Sequence, residues 1–250
     1  MMNHSFGSRS RGIRKVSSSF DPATLLLSGW WPASFGGSPW AGKASAGSSG
    51  GRDISEATNP PAVGSAVDGF TPADSDGTND ILSSALGSSS YFAENSMSGA
   101  VLVRLDAAGV VNLPLTPYNE NTLMGSAGAA DWGLSLGSVD GVRFWRQEQG
   151  AVGYGNVSVA LAIDTWAVIQ FKYDGTNLKI RKNNGAWTSS AFDANALSGT
   201  SQNVFFGHAL SAFSNAKMLE IMWTDQVFSD ATFDSIYSYL KARYPSTGLP

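Results

Sequence analysis

The sequence contains no cysteine and only two histidines, His4 and His208. Disulfides and thiolate metal sites are therefore excluded, and zinc, whose protein sites are built mainly from cysteine and histidine, is excluded in practice. His208 follows a strand-like run, so a structural role at a strand end is predicted rather than a catalytic triad. No apolar run approaches the about 20 residues that a membrane span needs, which predicts no membrane insertion.

Charged residues are scarce at 14% of the chain, and they are unevenly placed. The run SRSRGIRKVSSSF supplies the cations Arg9, Arg11, Arg14 and Lys15 before the first acidic residue, Asp21. Because the whole chain carries −4, the remainder carries about −8. Residues 1–19 are predicted to form a flexible arm, which is either a solubilising tail or an arm that docks on an acidic partner. Residues 20–250 are predicted to form one domain.

Short β-branched and aromatic runs between turn residues predict strands. They are GAVLVRL (99–105), VRFWRQ (142–147), NVSVALAI (156–163), WAVIQFKY (166–173), NLKIRK (177–182), NVFFGH (203–208) and KMLEIMW (217–223). Asp-Gly pairs at 68–69, 76–77, 140–141 and 174–175 can close hairpins, because glycine accepts positive φ and aspartate bonds its local backbone.

Alternation within AVIQFKY predicts a solvent-exposed face with Val168, Gln170 and Lys172, and an apolar face opposite to it. One core between two sheets is predicted from Ile169, Phe171, Tyr173, Leu178, Ile180, Phe205, Leu219 and Ile221. The strand glutamates Glu148 and Glu220 are expected to face solvent.

The last element, FSDATFDSIYSYLKARYP, has helical spacing. Ser229 or Asp230 can cap its start, and Pro245 ends it. Phe233, Ile236 and Leu240 are predicted to pack on the sandwich.

The order of these motifs resembles the concanavalin A-like lectin/glucanase superfamily, in particular its laminin G-like jelly-roll domains. The resemblance runs from LLLSGWW through DGFTPADSDGTNDIL and DTWAVIQFKYDGTNLKIRKNNGAW to LEIMWTDQVFSDATFDSIYSYLKARY. It implies an all-β fold: a two-sheet antiparallel jelly-roll sandwich with one short C-terminal helix and an extended N-terminal arm. Such domains occur as lectins, as glycanases and as surface modules of bacteriophage particles.

Asp74, Asp76 and Asp80 lie within seven residues, in ADSDGTND. Oxygen ligands at this density suit calcium, the one cofactor that the sequence suggests. The same segment is also an ordinary hairpin turn, and both interpretations stay open.

Carbohydrate binding needs an aromatic ring that can stack on a sugar, next to polar groups that bind the hydroxyls. Trp187, after the NNG turn, and Trp145, between two arginines, are the surface candidates. Strand packing is the alternative for each.

Glycan hydrolysis needs a close pair of carboxylates. The Glu-x-Asp-x-Glu pattern of the superfamily's glucanases is absent, so the chain is predicted not to be an enzyme. Nucleic-acid binding is not predicted either, because residues 20–250 are acidic overall.

The resemblance, together with the basic arm, implies a structural or adhesion module on the surface of a virion, attached to its head or tail. The arm, through Arg9, Arg11, Arg14 and Lys15, would bind capsid or tail subunits, and the protein would be a homo-oligomer within that assembly. A cell-surface glycan is the predicted second ligand. The alternatives are a free-standing lectin module, extracellular or on a bacterial surface, and, third, a glycan hydrolase.

Overall fold

The computed structural model describes residues 20–37, 39–43, 54, 59–80, 82–83, 96–107, 121–127, 132–137, 141–147, 154–192, 202–205, 207–208 and 212–250. The predicted arm, residues 1–19, lies outside the described residues. So do Glu148 and the side chains of Phe205 and His208. Within the described part, no helix is both long and apolar enough for a membrane crossing.

Strands dominate the described residues. In chain order the elements are β1 (Gly29–Trp31), β2 (Ala62–Val63), β3 (Ala73–Asp76), β4 (Leu82–Ser83), β5 (Met97–Leu105), β6 (Asn121–Ala127), β7 (Trp132–Gly137), β8 (Gly141–Gln147), β9 (Tyr154–Val159), β10 (Trp166–Tyr173), β11 (Asn177–Lys182), β12 (Thr188–Ala191), β13 (Gln202–Phe205), β14 (Gly207–His208), β15 (Ala212–Phe213), β16 (Asn215–Thr224) and α1 (Asp230–Arg243).

The strands form two sheets of eight strands each. The first sheet has the order β12-β11-β10-β5-β16-β3-β2, and β1 pairs with the C-terminal part of β16. The second sheet has the order β14-β15-β6-β7-β8-β9, with β13 bridging β6 and β4. Apart from one parallel contact between β15 and β6, the pairings between these strands are antiparallel. The predicted all-β, two-sheet sandwich with one C-terminal helix is confirmed.

The main core lies between the two sheets. From β10 and β11 it takes Ile169, Phe171, Tyr173, Leu178 and Ile180, as predicted, and Ile221 joins them from β16. Their completely buried side chains alternate with residues of the opposite face, as the two-residue period of a strand requires.

Leu219 does not belong to this core, and its predicted position is wrong. The register of β16 against β5 shifts between Met218 and Glu220, so one extra residue is inserted there. Such a bulge breaks the alternation of side chains. Leu219 consequently packs beneath α1, although Met218 and Ile221 face the other sheet.

Helix α1 closes the outer face of the first sheet, as predicted. Ser229 is its N-cap and accepts a hydrogen bond from the Thr232 backbone N–H. Phe233, Ile236 and Leu240 are at most 1% exposed and form a second core with the sheet.

Helix α1 covers the face of β10 that was predicted to be solvent-exposed, and this prediction is therefore wrong. Gln170 is completely buried and donates to the Phe233 backbone carbonyl at 2.6 Å. Lys172 pairs with Asp230 at 2.6 Å, and Arg181 pairs with Asp234 at 2.8 Å. These polar side chains bind the first turns of α1 to the sheet. The alternation of residues along β10 does not by itself predict such contacts.

Glu220 is buried as well, at 1% exposure, and its predicted solvent-facing position is wrong. The bulge places it beneath α1 on the same face as Leu219. Its carboxylate accepts hydrogen bonds from the Trp30 indole at 2.8 Å and the Tyr244 hydroxyl at 2.6 Å. The fold therefore holds a carboxylate inside its second core, with dedicated donors.

The hairpin between β10 and β11 uses the predicted Asp-Gly turn. Asp174 Oδ1 accepts from the backbone N–H groups of Thr176, at 3.1 Å, and Asn177, at 2.8 Å. Gly175 takes φ 96°, which a residue without Cβ adopts freely.

Candidate functional site

A pocket of about 550 Å³ opens at one edge of the first sheet. Its lining residues are Pro60, Ala62, Asp74, Ser75, Asp76, Asp80, Asp106 and Asn215. We call this the rim pocket. It contains all three aspartates singled out as calcium candidates.

The pairing of β3 with β16 positions the pocket side chains. Asp74 lies opposite Lys217, and Asp76 lies opposite Asn215. Directly opposed residues of an antiparallel pair share one face of the sheet. Ser75, between the two aspartates, points inward and is completely buried, with its hydroxyl donating to the Ser214 carbonyl at 2.7 Å.

The pocket lies on the same face of the sheet as α1. Lys217 is opposite Arg104 in β5, and Arg104 is two residues from Leu102, which packs in the core beneath the helix. Residues two apart on a strand share a face. The rim pocket therefore opens on the outer face, at the end of β5 where Asp106 follows the strand.

The loop after β3 folds back into the pocket. Asp76 Oδ1 accepts from the Thr78 N–H at 2.7 Å, and Asp80 Oδ2 accepts from the Asp76 N–H at 2.9 Å. Gly77 has φ 77°, and a Cβ there would lie 2.9 Å from the Asn215 Cβ. The loop is thus a hydrogen-bonded turn that returns Asp80 to the pocket, where burial raises the pKa of its carboxyl.

Two cations already balance part of the pocket's negative charge. The Lys217 ammonium pairs with Asp74 and lies 3.0 Å from Asp106. Burial opposes the charge of Lys217, but its bonds to Asp74 and Asp106 raise its pKa above the usual value. Arg104 also pairs with Asp106, at 2.7 Å. Within the described part of the chain, Asp76 and Asp80 have no such ion-pair partner.

The described residues contain no group of three His, Cys, Asp or Glu side chains arranged to hold a metal ion. Lys217 lies where Asp74 and Asp106 come together, so these two carboxylates converge on an ammonium group. Calcium binding by Asp74, Asp76 and Asp80 stays a prediction, and no step below depends on it.

Trp145 is 1% exposed, so its predicted place on the surface is wrong. Its ring lies over Gly133 of the neighbouring strand, where an added Cβ would be 2.8 Å from Trp145 Cζ2. The arginines near Trp145 in the sequence suggested an exposed ring. On an interior strand of the sheet, however, the ring is covered by the strand beside it.

Trp187 is half-buried and packs edge-to-face on Phe233, with the ring centroids 5.1 Å apart. The Lys172 ammonium and the Arg181 guanidinium lie 4.7 Å and 4.6 Å from its ring centroid. Trp187 thus fastens the hairpin to α1, and its predicted role in sugar stacking is untested. Neither tryptophan lines the rim pocket.

Sequence reasoning missed Asp106 and Asn215. Asp106 directly follows the strand GAVLVRL, and Asn215 begins the last strand. The available signal was that each is a polar residue near the end of a strand-like run. That they lie close to Asp76 depends on strand pairing between segments more than a hundred residues apart.

Comparisons with known proteins place the fold among all-β proteins. No protein-family model and no curated protein matches the sequence. Trypanosoma rangeli sialidase with the inhibitor DANA is similar with a TM-score of 0.59 and 14% identity, over 88% of this chain and 34% of the sialidase chain. The same sialidase with sialic acid gives a TM-score of 0.57 and 11% identity, over 89% and 34%. The botulinum neurotoxin serotype G binding domain gives a TM-score of 0.55 and 14% identity, over 87% and 51%.

The prediction that the chain is not an enzyme is contradicted, because the sialidases among these neighbours are enzymes. This chain spans about a third of the sialidase chains and about half of the neurotoxin domain. At these identities the likeness establishes the fold alone. What these proteins share with the chain is an all-β architecture.

Proposed function

We propose that this chain is a carbohydrate-binding β-sandwich domain that recognises a glycan in the rim pocket. The observation that carries the proposal is the pocket itself: a cavity of about 550 Å³ at the edge of the first sheet, lined by carboxylate and amide groups. This volume lies within the range of small-ligand sites, about 300–1,000 Å³. The likeness to the sialidases, and the resemblance to concanavalin A-like lectins, support the proposal.

The chemistry of the pocket suits sugar hydroxyls. Asp76 and Asp80 can each accept hydrogen bonds from hydroxyl groups, and the Asn215 amide can both donate and accept. Hydrogen bonds to a charged group contribute about 1.5–3 kcal/mol each. Pro60 and Ala62 supply a small apolar wall for the C–H face of a sugar ring.

We expect Asn215→Ala to weaken glycan binding by about tenfold or more, because it removes one donor and one acceptor from the pocket. Asp76→Asn keeps the Oδ1 atom that caps the Thr78 N–H but removes the charge, and should weaken binding similarly. A glycan array probed with the full chain identifies the ligand, and calorimetry on the best oligosaccharide measures the affinities.

Asn156→Ala is the matched control, since Asn156 is an exposed asparagine on the second sheet. It should leave the affinity unchanged. Binding that survives both pocket substitutions, or an array without any bound glycan, would contradict the proposal.

Hydrolysis of the bound glycan is a second candidate, favoured by one observation. Burial raises the pKa of Asp80, which lies among further carboxylates in the same pocket. Glycosidases need one carboxyl group that stays protonated beside one that is ionised. Release of reducing sugar from the array's best ligand, lost in Asp80→Asn, would identify this activity.

We propose further that the arm, residues 1–19, attaches the domain to a larger assembly. Four cations lie within seven residues, and Ile13 and Val16 add apolar contacts that a purely solubilising tail does not need. The proposed partners are acidic surfaces of capsid or tail subunits, with the domain displayed on the virion surface as a homo-oligomer. The phage-associated laminin G-like domains that the sequence resembles, and the basic arm, support this setting.

Deleting residues 1–19 is expected to abolish attachment and to leave the sandwich folded, because the described members of both cores all lie at residue 20 or later. Co-sedimentation with particles at several salt concentrations measures attachment, and circular dichroism checks the fold. Electrostatic attachment should weaken with salt, since the Debye length is about 8 Å at physiological ionic strength. Unchanged attachment of the truncated chain would leave the arm as a tail only.

A further inference from the structure

The first sheet ends in the edge strand β12, whose outer side has no pairing partner among the described residues. This strand pairs with β11 alone, and its register is unbroken. Its sequence, Thr-Ser-Ser-Ala, contains no charge and no proline, and Thr188, Ser189 and Ala191 are exposed. Natural sheets protect their edges with charges, proline or bulges, because an open edge is a template for another strand. None of these three protections is present in β12.

The backbone groups of Ser189 and Ala191 point away from β11. Along an antiparallel pair, directly opposed residues alternate between hydrogen-bonded and non-hydrogen-bonded pairs. The Phe192 N–H donates to the Thr176 carbonyl at 2.8 Å, so the next opposed pair, Ala191 with Asn177, is not hydrogen-bonded. By the same alternation, neither is the pair two residues earlier, which contains Ser189. Each of these two residues therefore turns one N–H and one C=O toward the outside of the sheet.

The strand is fixed at both of its ends. Trp187, which precedes it, packs edge-to-face on Phe233 of α1. Phe192, which follows it, lies against Gly155 of β9, where an added Cβ would collide with the Phe192 ring. The extended backbone therefore exists before a partner arrives, and little conformational entropy is lost when one binds.

The opposite edge of the first sheet is different. Strand β2 has only two residues and directly follows Pro60 and Pro61. Proline has no N–H to donate to a neighbouring strand. Of the two edge strands of the first sheet, β12 is therefore the one that is open to pairing.

We propose that β12 pairs with β12 of a second copy of this chain, in antiparallel orientation about a two-fold axis at Ser190. The axis places Ser189 opposite Ala191 of the second copy, and the reverse, so that outward N–H groups meet outward carbonyl groups in about four hydrogen bonds. A two-fold interface uses the same surface on both subunits, and this edge is complementary to itself.

Charge complementarity identifies the second copy as the occupant. The strand is uncharged, so it offers no ion pair to a charged partner strand and does not repel an identical one. The nearest cation on β11, Lys179, is neutralised by Asp174 at 2.9 Å. Because so short a ladder buries less than the roughly 1,600 Å² of a standard interface, the dimer is expected to be weak and to form at high local concentration.

Pairing of this kind would present two rim pockets on one side of the dimer. The two-fold axis is perpendicular to the sheet, so the outer faces of both copies point the same way. At about 4.8 Å per strand, the two β3 strands would lie on the order of 50 Å apart. A glycan-coated surface would then be bound at two points at once. This consequence rests on the proposed function, whereas the pairing itself does not.

Substitutions on the outward residues test the pairing. A lysine variant, with Ser189→Lys and Ala191→Lys, brings like charges directly opposite each other in the dimer and should weaken association about tenfold or more. A glutamate variant, with Ser189→Glu and Ala191→Glu, should do the same, and an equimolar mixture of the two variants should associate again. Sedimentation velocity over a concentration series up to about 1 mM measures association, and circular dichroism checks the fold.

The matched control carries two lysines on the opposite edge, Ala62→Lys and Val63→Lys, and should associate like the wild type, since both residues are exposed on β2. A wild type that stays monomeric throughout the series, or association that the lysine variant leaves intact, would overturn the proposal.

The absence of cysteine from the chain allows a second test. At a non-hydrogen-bonded pair on the axis, the two Ser190 Cα atoms would be about 4.5 Å apart, which is within the range of a disulfide. Oxidised Ser190→Cys should therefore give a covalent dimer on a non-reducing gel. Ser65→Cys, at an exposed position beside β2, is the control for random collisions. Cross-linking of Ser190→Cys no faster than of this control would contradict the pairing.

Glycan binding separates this inference from the proposed function. On a glycan-coated surface the lysine variant should bind about tenfold more weakly than the wild type, whereas both should bind a soluble oligosaccharide equally. Dimerisation without any glycan binding would refute the proposed function and leave the pairing standing. Glycan binding by a chain that stays monomeric would refute the pairing and leave the proposed function standing.

Discussion

Replacing Phe171 with alanine is expected to lower the free energy of unfolding by about 3–5 kcal/mol. Phe171 is completely buried between the sheets, 5.7 Å from the Trp132 ring and 5.0 Å from the Phe144 ring, measured between centroids. Truncation would leave a cavity that two rigid aromatic neighbours cannot fill. Because domains are stable by only about 5–15 kcal/mol, this loss would be a large fraction of the total.

Urea denaturation followed by tryptophan fluorescence measures the loss. Phe171→Leu is the matched control, since it keeps most of the volume and should cost less than about 1.5 kcal/mol. An alanine variant as stable as the leucine variant would contradict the packing described for this core.

Replacing Glu220 with alanine is expected to have the second large effect, lowering the free energy of unfolding by about 3–5 kcal/mol. The substitution removes the acceptor of the Trp30 indole and of the Tyr239 and Tyr244 hydroxyls. Arg243, 3.5 Å from the carboxylate, would also lose its counter-charge. Thermal and urea unfolding measure the loss, and an alanine variant of wild-type stability would show that Glu220 is not needed beneath α1.

Glu220→Gln serves as the control because it keeps the shape and one acceptor oxygen. Burial raises the pKa of Glu220, so the folded protein holds this proton more tightly than the unfolded chain. The stabilisation from this proton is complete below the unfolded value of about 4.3 and is lost as pH rises through the folded pKa. The advantage of the wild type over the glutamine variant should therefore shrink with rising pH.

Local sequence signals predicted the elements that depend on neighbouring residues. The Asp174–Gly175 turn follows from turn chemistry, and the capped helix after Ser229 follows from spacing and capping. The apolar face of β10 follows from its alternation. In each case the signal lies within a few residues along the chain.

Contacts between distant segments could not be predicted in this way. The bulge in β16 moved Leu219 and Glu220 to the helix side, and no residue type in KMLEIMW marks it. Gln170 looked solvated because the helix that covers it begins some sixty residues later in the chain. Burial of a polar side chain depends on which element packs over it.

The candidate site likewise combines a local signal with contacts between distant segments. The turn Asp76–Asp80 was visible in the sequence as a cluster of oxygen ligands. Its partners Asp106 and Asn215 join it through the pairing of β3 with β16 and of β16 with β5. The same pairing brings in Lys217, whose ammonium group pairs with Asp74 and Asp106.

The most direct test of a glycan site in the rim pocket is a crystal structure of the chain with the array's best oligosaccharide. The account predicts sugar density in the pocket, with hydroxyl groups within about 3 Å of the Asp76 carboxylate and the Asn215 amide. Sugar density at another place on the sandwich, with the rim pocket free of sugar, would contradict it.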